Sequence, residues 1–180
     1  MNEQRNTGNG EAEDNGEAPG NGEAGAQEQQ TAQGPRMSIV TQYIKDLSFE
    51  NPRGPLAFAQ GQTRPEIQVR VDVRAAPLGP EQHEVILELN IEAKVPDGPV
   101  FLLELTYGGV FALANIPADS LQPLLLVECP RLLFPFARRI VSDLTRDGGF
   151  PPLMLDPIDF VGLYRRRMAR AQPVATEGRA

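Results

Sequence analysis

Period-two alternation of apolar and polar residues starts near Met37 and continues through "IVTQYIKDLSFE", residues 39–50. Successive side chains of a strand point to opposite faces, so Ile39, Thr41, Tyr43, Lys45, Leu47 and Phe49 are expected on one side. Asp46 and Glu50 share the other, and "NPRGP" at 51–55 suits a loop better than a ladder. The same alternation recurs in "EIQVRVDVR" (66–74) and in "HEVILELNIEAKV" (83–95), each with its Val, Ile and Leu residues on one face. In "FLLELTYGGVFAL" (101–113), Phe101, Leu103, Leu105 and Tyr107 occupy one face, and Leu102, Glu104 and Thr106 the other. Turn-rich links, "AAPLGP" and "PDGP", join these segments and favour antiparallel neighbours, because parallel ones need crossovers of a dozen residues or more.

Helical spacing follows the strands. "PADSLQPLLLV" (117–127) and "PRLLFPFARRIVSDLTRDGG" (130–149) each place apolar residues on one face, with Pro135 expected to kink the second and Gly148 and Gly149 to end it. "FPPLMLDP" (150–157) reads as an apolar loop. A last helix is expected over about 157–171, with Asp156 as N-cap and Pro157 at its first position. Strands first and helices after predict an α+β domain, a four-stranded antiparallel meander sheet with helices packed on one face.

Residues 1–36 hold almost no large apolar side chain, repeat "NGEA" three times and carry two arginines against seven acids. Such a segment cannot bury enough surface to offset the entropy of ordering, so it is expected to be a disordered arm, followed by one domain over 37–171 and a flexible tail over 172–180. That arm accounts for most of the net charge of −7. A basic, apolar secretory start and an apolar run long enough to span a bilayer are both missing from the pattern, which predicts a cytoplasmic protein without membrane insertion. The one cysteine, Cys129, rules out an internal disulfide.

Candidate chemistry is sparse. His83 has no assignable nucleophile or carboxylate, one Cys and one His far apart do not make a zinc site, and "TYGGVF" lacks the placement of a phosphate loop. "RRRMAR" at 165–170 reads as a solvated helix end favoured by the dipole, not a nucleic-acid contact. No catalytic residue, metal or cofactor is expected. If the first and last strands lie in one sheet with matching orientation, Asp46, Glu50 and Glu104 form an acidic patch; the plainer alternative is a solvated outer face.

Three stretches carry a resemblance. "YIKDLSFENP", "FLLELTYGGVFAL" and "CPRLLFPFARRIVSDLTRDGGFPPLMLDPIDF", in that order, resemble the consecutive landmarks of SecB, the bacterial protein-export chaperone, over about residues 38–165. The resemblance implies a cytoplasmic homotetramer, a dimer of dimers, that holds unfolded secretory precursors without ATP and passes them to the SecA motor ATPase. It assigns SecA binding to Asp46, Glu50, Leu102 and Glu104, and subunit association to Leu103, Leu105 and Tyr107.

A groove for clients, implied beside the last helix and the loop before it, would be lined by Phe49, Phe58, Phe150, Leu153, Met154, Leu155 and Phe160. Aromatic and Met side chains suit promiscuous contact, being large or adaptable. Departures from the better-known members include Thr63 where they carry Trp, Leu103 and Tyr107 where Cys and Gln are common, and the long arm ahead of Met37, itself a possible internal start. A SecB-fold adaptor serving a stress or toxin–antitoxin partner is the alternative function.

Overall fold

The structure is a computed structural model of the 180-residue chain, and it describes residues 34–58 and 64–171, without the side chains of 57, 58 and 171. The arm up to residue 33, Thr63, the Phe58 side chain and the tail 172–180 therefore lie outside the described residues.

Four strands form one antiparallel sheet: β1 (Arg36–Glu50), β2 (Glu66–Pro77), β3 (Gln82–Val95) and β4 (Gly98–Ala114). The spatial order is β1-β4-β3-β2, so the meander expected from the sequence covers only β2 to β4. β1 pairs with β4, which makes the sheet a Greek key. The reason lies in residues 51–65: that link is long enough to cross β4 and β3, three strand spacings of about 4.8 Å each, before β2 begins.

Two bulges interrupt β1, at Val40 and at Lys45, where the register against β4 slips by one residue. Each bulge reverses the alternation. Thr41 and Tyr43 therefore oppose Val110 and Gly108 on the outer face, a correction to the uninterrupted pattern, while Leu47 and Phe49 remain on the inner face as expected.

Helices cover that inner face. A single helical run comprises α1 (Ala118–Pro123), a π turn (Leu124–Glu128) and α2 (Cys129–Asp147), where the sequence suggested two helices. In the π turn the Cys129 N–H donates to the Leu124 carbonyl, so the hydrogen-bond ladder has slipped by one residue just before Pro130, which has no N–H to donate. The two glycines stop α2 as expected: Gly149 takes φ 87°, its N–H donates to Arg146 O (2.9 Å), and the Phe150 N–H donates to Thr145 O (3.0 Å). α3 (Phe160–Ala171) starts later than expected, and its cap is Asp159 in place of Asp156, through a 2.9 Å bond from the Gly162 N–H to Oδ1.

The core fills the space between sheet and helices. Val85, Leu87, Leu89, Ile91 and Ala93 of β3, with Leu103, Leu105 and Phe111 of β4, meet Leu133, Ala137 and Val141 of α2. Gly109 lets α2 approach, since a Cβ there would stand 2.7 Å from Leu133 Cδ2. Among the described residues no helix is long and apolar enough to cross a membrane.

Candidate functional site

The outer face of the sheet is built by register. Asp46, Ser48 and Glu50 of β1 oppose Thr106, Glu104 and Leu102 of β4. Those in turn oppose Glu88, Asn90 and Glu92 of β3, and beyond them Asp72, Arg70 and Gln68 of β2. Residues directly opposite in a sheet share a face, so Asp46, Glu50, Leu102 and Glu104 come together on one surface. Asp46, Glu50 and Glu104 are exposed, and Leu102 is half-buried.

Glu88, Glu92 and Asp72 extend the carboxylate surface, a set that sequence reasoning missed because it tracked only the first and last strands. Glu88 pairs with Arg74, leaving Arg70 as the cation nearest Glu104 across the ladder. A shallow cleft of about 300 Å³ lies here, between Arg70, Asn90, Glu92, Leu102 and Glu104. Neighbouring carboxylates within a Debye length of about 8–10 Å act together on a ligand, so this surface attracts a basic partner.

Further along the same face Tyr43 donates its hydroxyl proton to Glu84, and Lys45 Nζ donates to both oxygens of that carboxylate at 3.0 and 3.2 Å. The Tyr43 bond and then the Lys45 bonds hold the Glu84 carboxyl below its usual range, while the Tyr43 hydroxyl is pushed up to about 12. Gly108 makes room for the tyrosine: a Cβ there would stand 2.7 Å from its Cζ.

Leu103, Leu105 and Tyr107 are 0%, 1% and 7% exposed within the single chain. They sit in the protomer's own core with α2 above them. Apolar side chains that remain open include Met37, Ile39, Val40 and Ile44 of β1 and Leu132 and Phe136 of α2.

Candidate groove residues divide. The Phe49 and Phe150 rings pack with Phe101, at centroid distances of 5.7 Å (Phe49–Phe101), 6.4 Å (Phe49–Phe150) and 5.1 Å (Phe101–Phe150). Phe49 and Phe150 are half-buried, so the cluster presents part of its surface. In the same ladder rows, Val69 and Ile67 of β2 are about 40% exposed on the inner face. The alternation placed these two inward, but the π turn (Leu126) and α3 (Leu163) approach β2 near Val71 and Val73.

Met154 is 60% exposed and, with Phe134, Pro135 and Pro157, borders a groove of about 390 Å³. Leu155 and Phe160 are core residues: Phe160 is 1% exposed and meets the Phe134 ring edge-on at 6.2 Å. Leu153 is half-buried and is held by Thr145, whose buried Oγ1 accepts from the Leu153 N–H at 2.9 Å and lies 2.9 Å from the Val141 carbonyl. Thr145 thus fastens the apolar loop to α2, a role that a Thr within a helical pattern did not announce.

Comparison with known proteins fixes the family. The family model described as preprotein translocase subunit SecB matches residues 29–171. The chain belongs to the SecB family. It is 55% identical over 141 residues to the protein-export protein SecB of Afipia carboxidovorans, covering 78% of this chain and 88% of that protein. The SecB of Azorhizobium caulinodans is 51% identical over 147 residues, covering 81% and 92%. Among solved structures, a SecB-like chaperone of Mycobacterium tuberculosis, in complex with a ChAD peptide from an antitoxin, superposes with TM-score 0.53 at 18% identity, covering 68% of this chain and 91% of that one. The last likeness concerns the fold. Membership of the SecB family makes this chain a chaperone of preprotein export.

Proposed function

We propose that the chain holds unfolded precursors on the inner side of its sheet and is recognised by SecA on the outer side. The observation that carries this reading is the division of one sheet into two surfaces. One offers Asp46, Glu50 and Glu104 around Leu102, and the other offers Phe49, Phe150, Val69 and Ile67 beside the open end of the core.

An unfolded chain is recognised by what native proteins hide, so the holding surface requires exposed apolar groups and tolerates many sequences. One short contact of that kind is weak. Repetition of the surface in a homotetramer, assembled through the open apolar residues of β1 and α2, would raise avidity by about 10²–10⁴ for a client long enough to span it. The carboxylates supply the second activity, steering a basic segment of SecA and losing strength with salt. In this reading holding needs no nucleotide, no bond is made or broken, and the work is done in the cytoplasm. Identity of about one half to protein-export relatives favours this partner over the stress or toxin–antitoxin alternative.

Titration of the full chain with one secretory precursor, denatured and then native, followed by light scattering, tests the proposal. Complex formation with the denatured form alone is expected, and SecA then binds the complex at low salt. Equal binding of native and denatured precursor would overturn the holding reading.

A further inference from the structure

Lys45 immediately precedes Asp46 in the chain and brings a positive charge to the edge of the carboxylate surface. It is the extra residue of the second β1 bulge, without a partner on β4. Among the described residues no ion pair joins it to Asp46. The side chain instead reaches across β4 to β3, where Nζ bonds both carboxylate oxygens of Glu84. Asp46 stands opposite Thr106 and Glu84 opposite Val110, four residues apart along β4, or about 13 Å. The ammonium is thus turned away from its neighbour in sequence and toward the other end of the face.

Glu84 is well placed to keep it there. The Tyr43 hydroxyl donates to the same Oε1 that Lys45 meets, so two donors from β1 fix the direction of one carboxylate. The Glu84 side chain is 19% exposed and that of Lys45 49%, which makes the pair less open to screening than one on the rim. On the far flank Glu88 holds Arg74 in the same manner.

We infer that Glu84 is a positioning residue for the SecA-docking face, acting by holding the Lys45 ammonium away from Asp46. The inference rests on the reading of the outer face as the SecA site and names a determinant of its affinity that lies outside the carboxylate triangle. The net charge of the face is the same wherever Lys45 points; only the location of the charge differs. Released from Glu84, the ammonium has a flexible four-carbon stem and a carboxylate on the next residue, and it competes with any basic group that SecA brings to Asp46. Tied to Glu84, it leaves that carboxylate open.

The test is a cycle of four full-length chains, the parent, Glu84→Gln, Lys45→Met and the double variant, each titrated with SecA at low salt and read by surface binding kinetics. Glu84→Gln keeps the shape of the side chain and an acceptor for the Tyr43 hydroxyl but gives up the ion pair. It is expected to bind SecA about threefold to fivefold more weakly than the parent. Lys45→Met alone should stay within about twofold of the parent, and in the Glu84→Gln background it should restore the lost affinity. A plain change of charge predicts something else, the same effect of Lys45→Met in both backgrounds, and a purely structural role for Glu84 predicts a loss that Lys45→Met does not restore. Either result, or unweakened binding by Glu84→Gln, would overturn the inference.

Nuclear Overhauser contacts from Lys45 in the unmodified chain decide the matter even if a variant unfolds: contacts to the Tyr43 ring are expected with and without SecA, and contacts to Asp46 in their place would also overturn it. Glu104→Lys separates the two readings. If that variant loses SecA binding while the cycle shows no coupling, the positioning role fails and the docking face stands. If it binds SecA as the parent does, the docking reading fails and takes this inference with it.

Discussion

Glu104 stands directly opposite Ser48 in the β1–β4 ladder, which sets Asp46 and Glu50 one row to either side of it on the same face. Diagonal neighbours in a sheet lie about 7–8 Å apart, so Glu104 is the apex of a carboxylate triangle whose base is Asp46 and Glu50. Glu104→Lys puts a cation at that apex. SecA affinity is expected to fall more than tenfold at low salt, with thermal stability within about 0.5 kcal/mol of the parent because the side chain is exposed. Surface binding kinetics at two salt concentrations check this, and unchanged affinity would remove the outer face from the SecA site.

Leu103→Asp tests the other side of the same strand. Leu103 has no exposed surface in the protomer, so a carboxylate there is expected to cost several kcal/mol and unfold the chain, and not to release folded smaller species. Phe136→Asp, on the open face of α2, should instead lower the molar mass in light scattering while circular dichroism stays the same. A folded, dissociated Leu103→Asp chain would return that residue to the association surface.

Thr145 ties helix to loop. Thr145→Val leaves the Leu153 N–H without its acceptor and should cost about 1–3 kcal/mol in urea unfolding, whereas Thr145→Ser keeps the bond and most of the stability. Weaker binding of denatured precursor by the folded fraction of the Val variant is also expected, because Leu153 and Met154 sit on the loop that this bond holds.

The Tyr43–Glu84 bond gives stability two pH limits. Glu84 is lowered by its partners, so its contribution is present above the ordinary carboxylate value of 4.5 and fades as pH falls through the lower folded value. Tyr43 is raised, so its contribution is complete below its ordinary value of 10.0 and is lost as pH rises through about 12. The stability difference between the parent and Tyr43→Phe, about 1 kcal/mol, should therefore stay level from about pH 5 to 9 and shrink beyond either end. Thermal melts across that range measure it, and a difference that varies through neutral pH would count against the bond.

Strands and their inner faces were legible because Val, Ile and Leu recur at period two, and the "TYGG" segment was legible as strand. The bulges were not, since Val40 and Lys45 look like any other members of the alternation, and a single extra residue moves Tyr43 to the opposite face. Strand order depended on which strand β1 pairs with, which composition does not record. Pro130 reads as a boundary, yet a π turn absorbs its missing donor and the helical run continues. Within "FPPLMLDPIDF" every apolar residue is a plausible groove wall, and only packing against Phe134 separates buried Phe160 from exposed Met154. The acidic face was legible for the opposite reason: alternation within each strand fixes which residues share a surface, and the β1–β4 pairing needed only to bring two such surfaces together.

Pairing of the first strand with the last has a consequence during synthesis. Glu50 leaves the ribosome well before Ala114, the end of the strand on which β1 depends. At about 5–20 residues per second, β1 waits roughly 3–13 s with its edge and its apolar residues Ile39, Ile44 and Leu47 uncovered. β2, β3 and β4 can meanwhile close as hairpins, so β1 is expected to be the last strand added. For those seconds the nascent chaperone shows the same kind of open, apolar strand that it later retains in others.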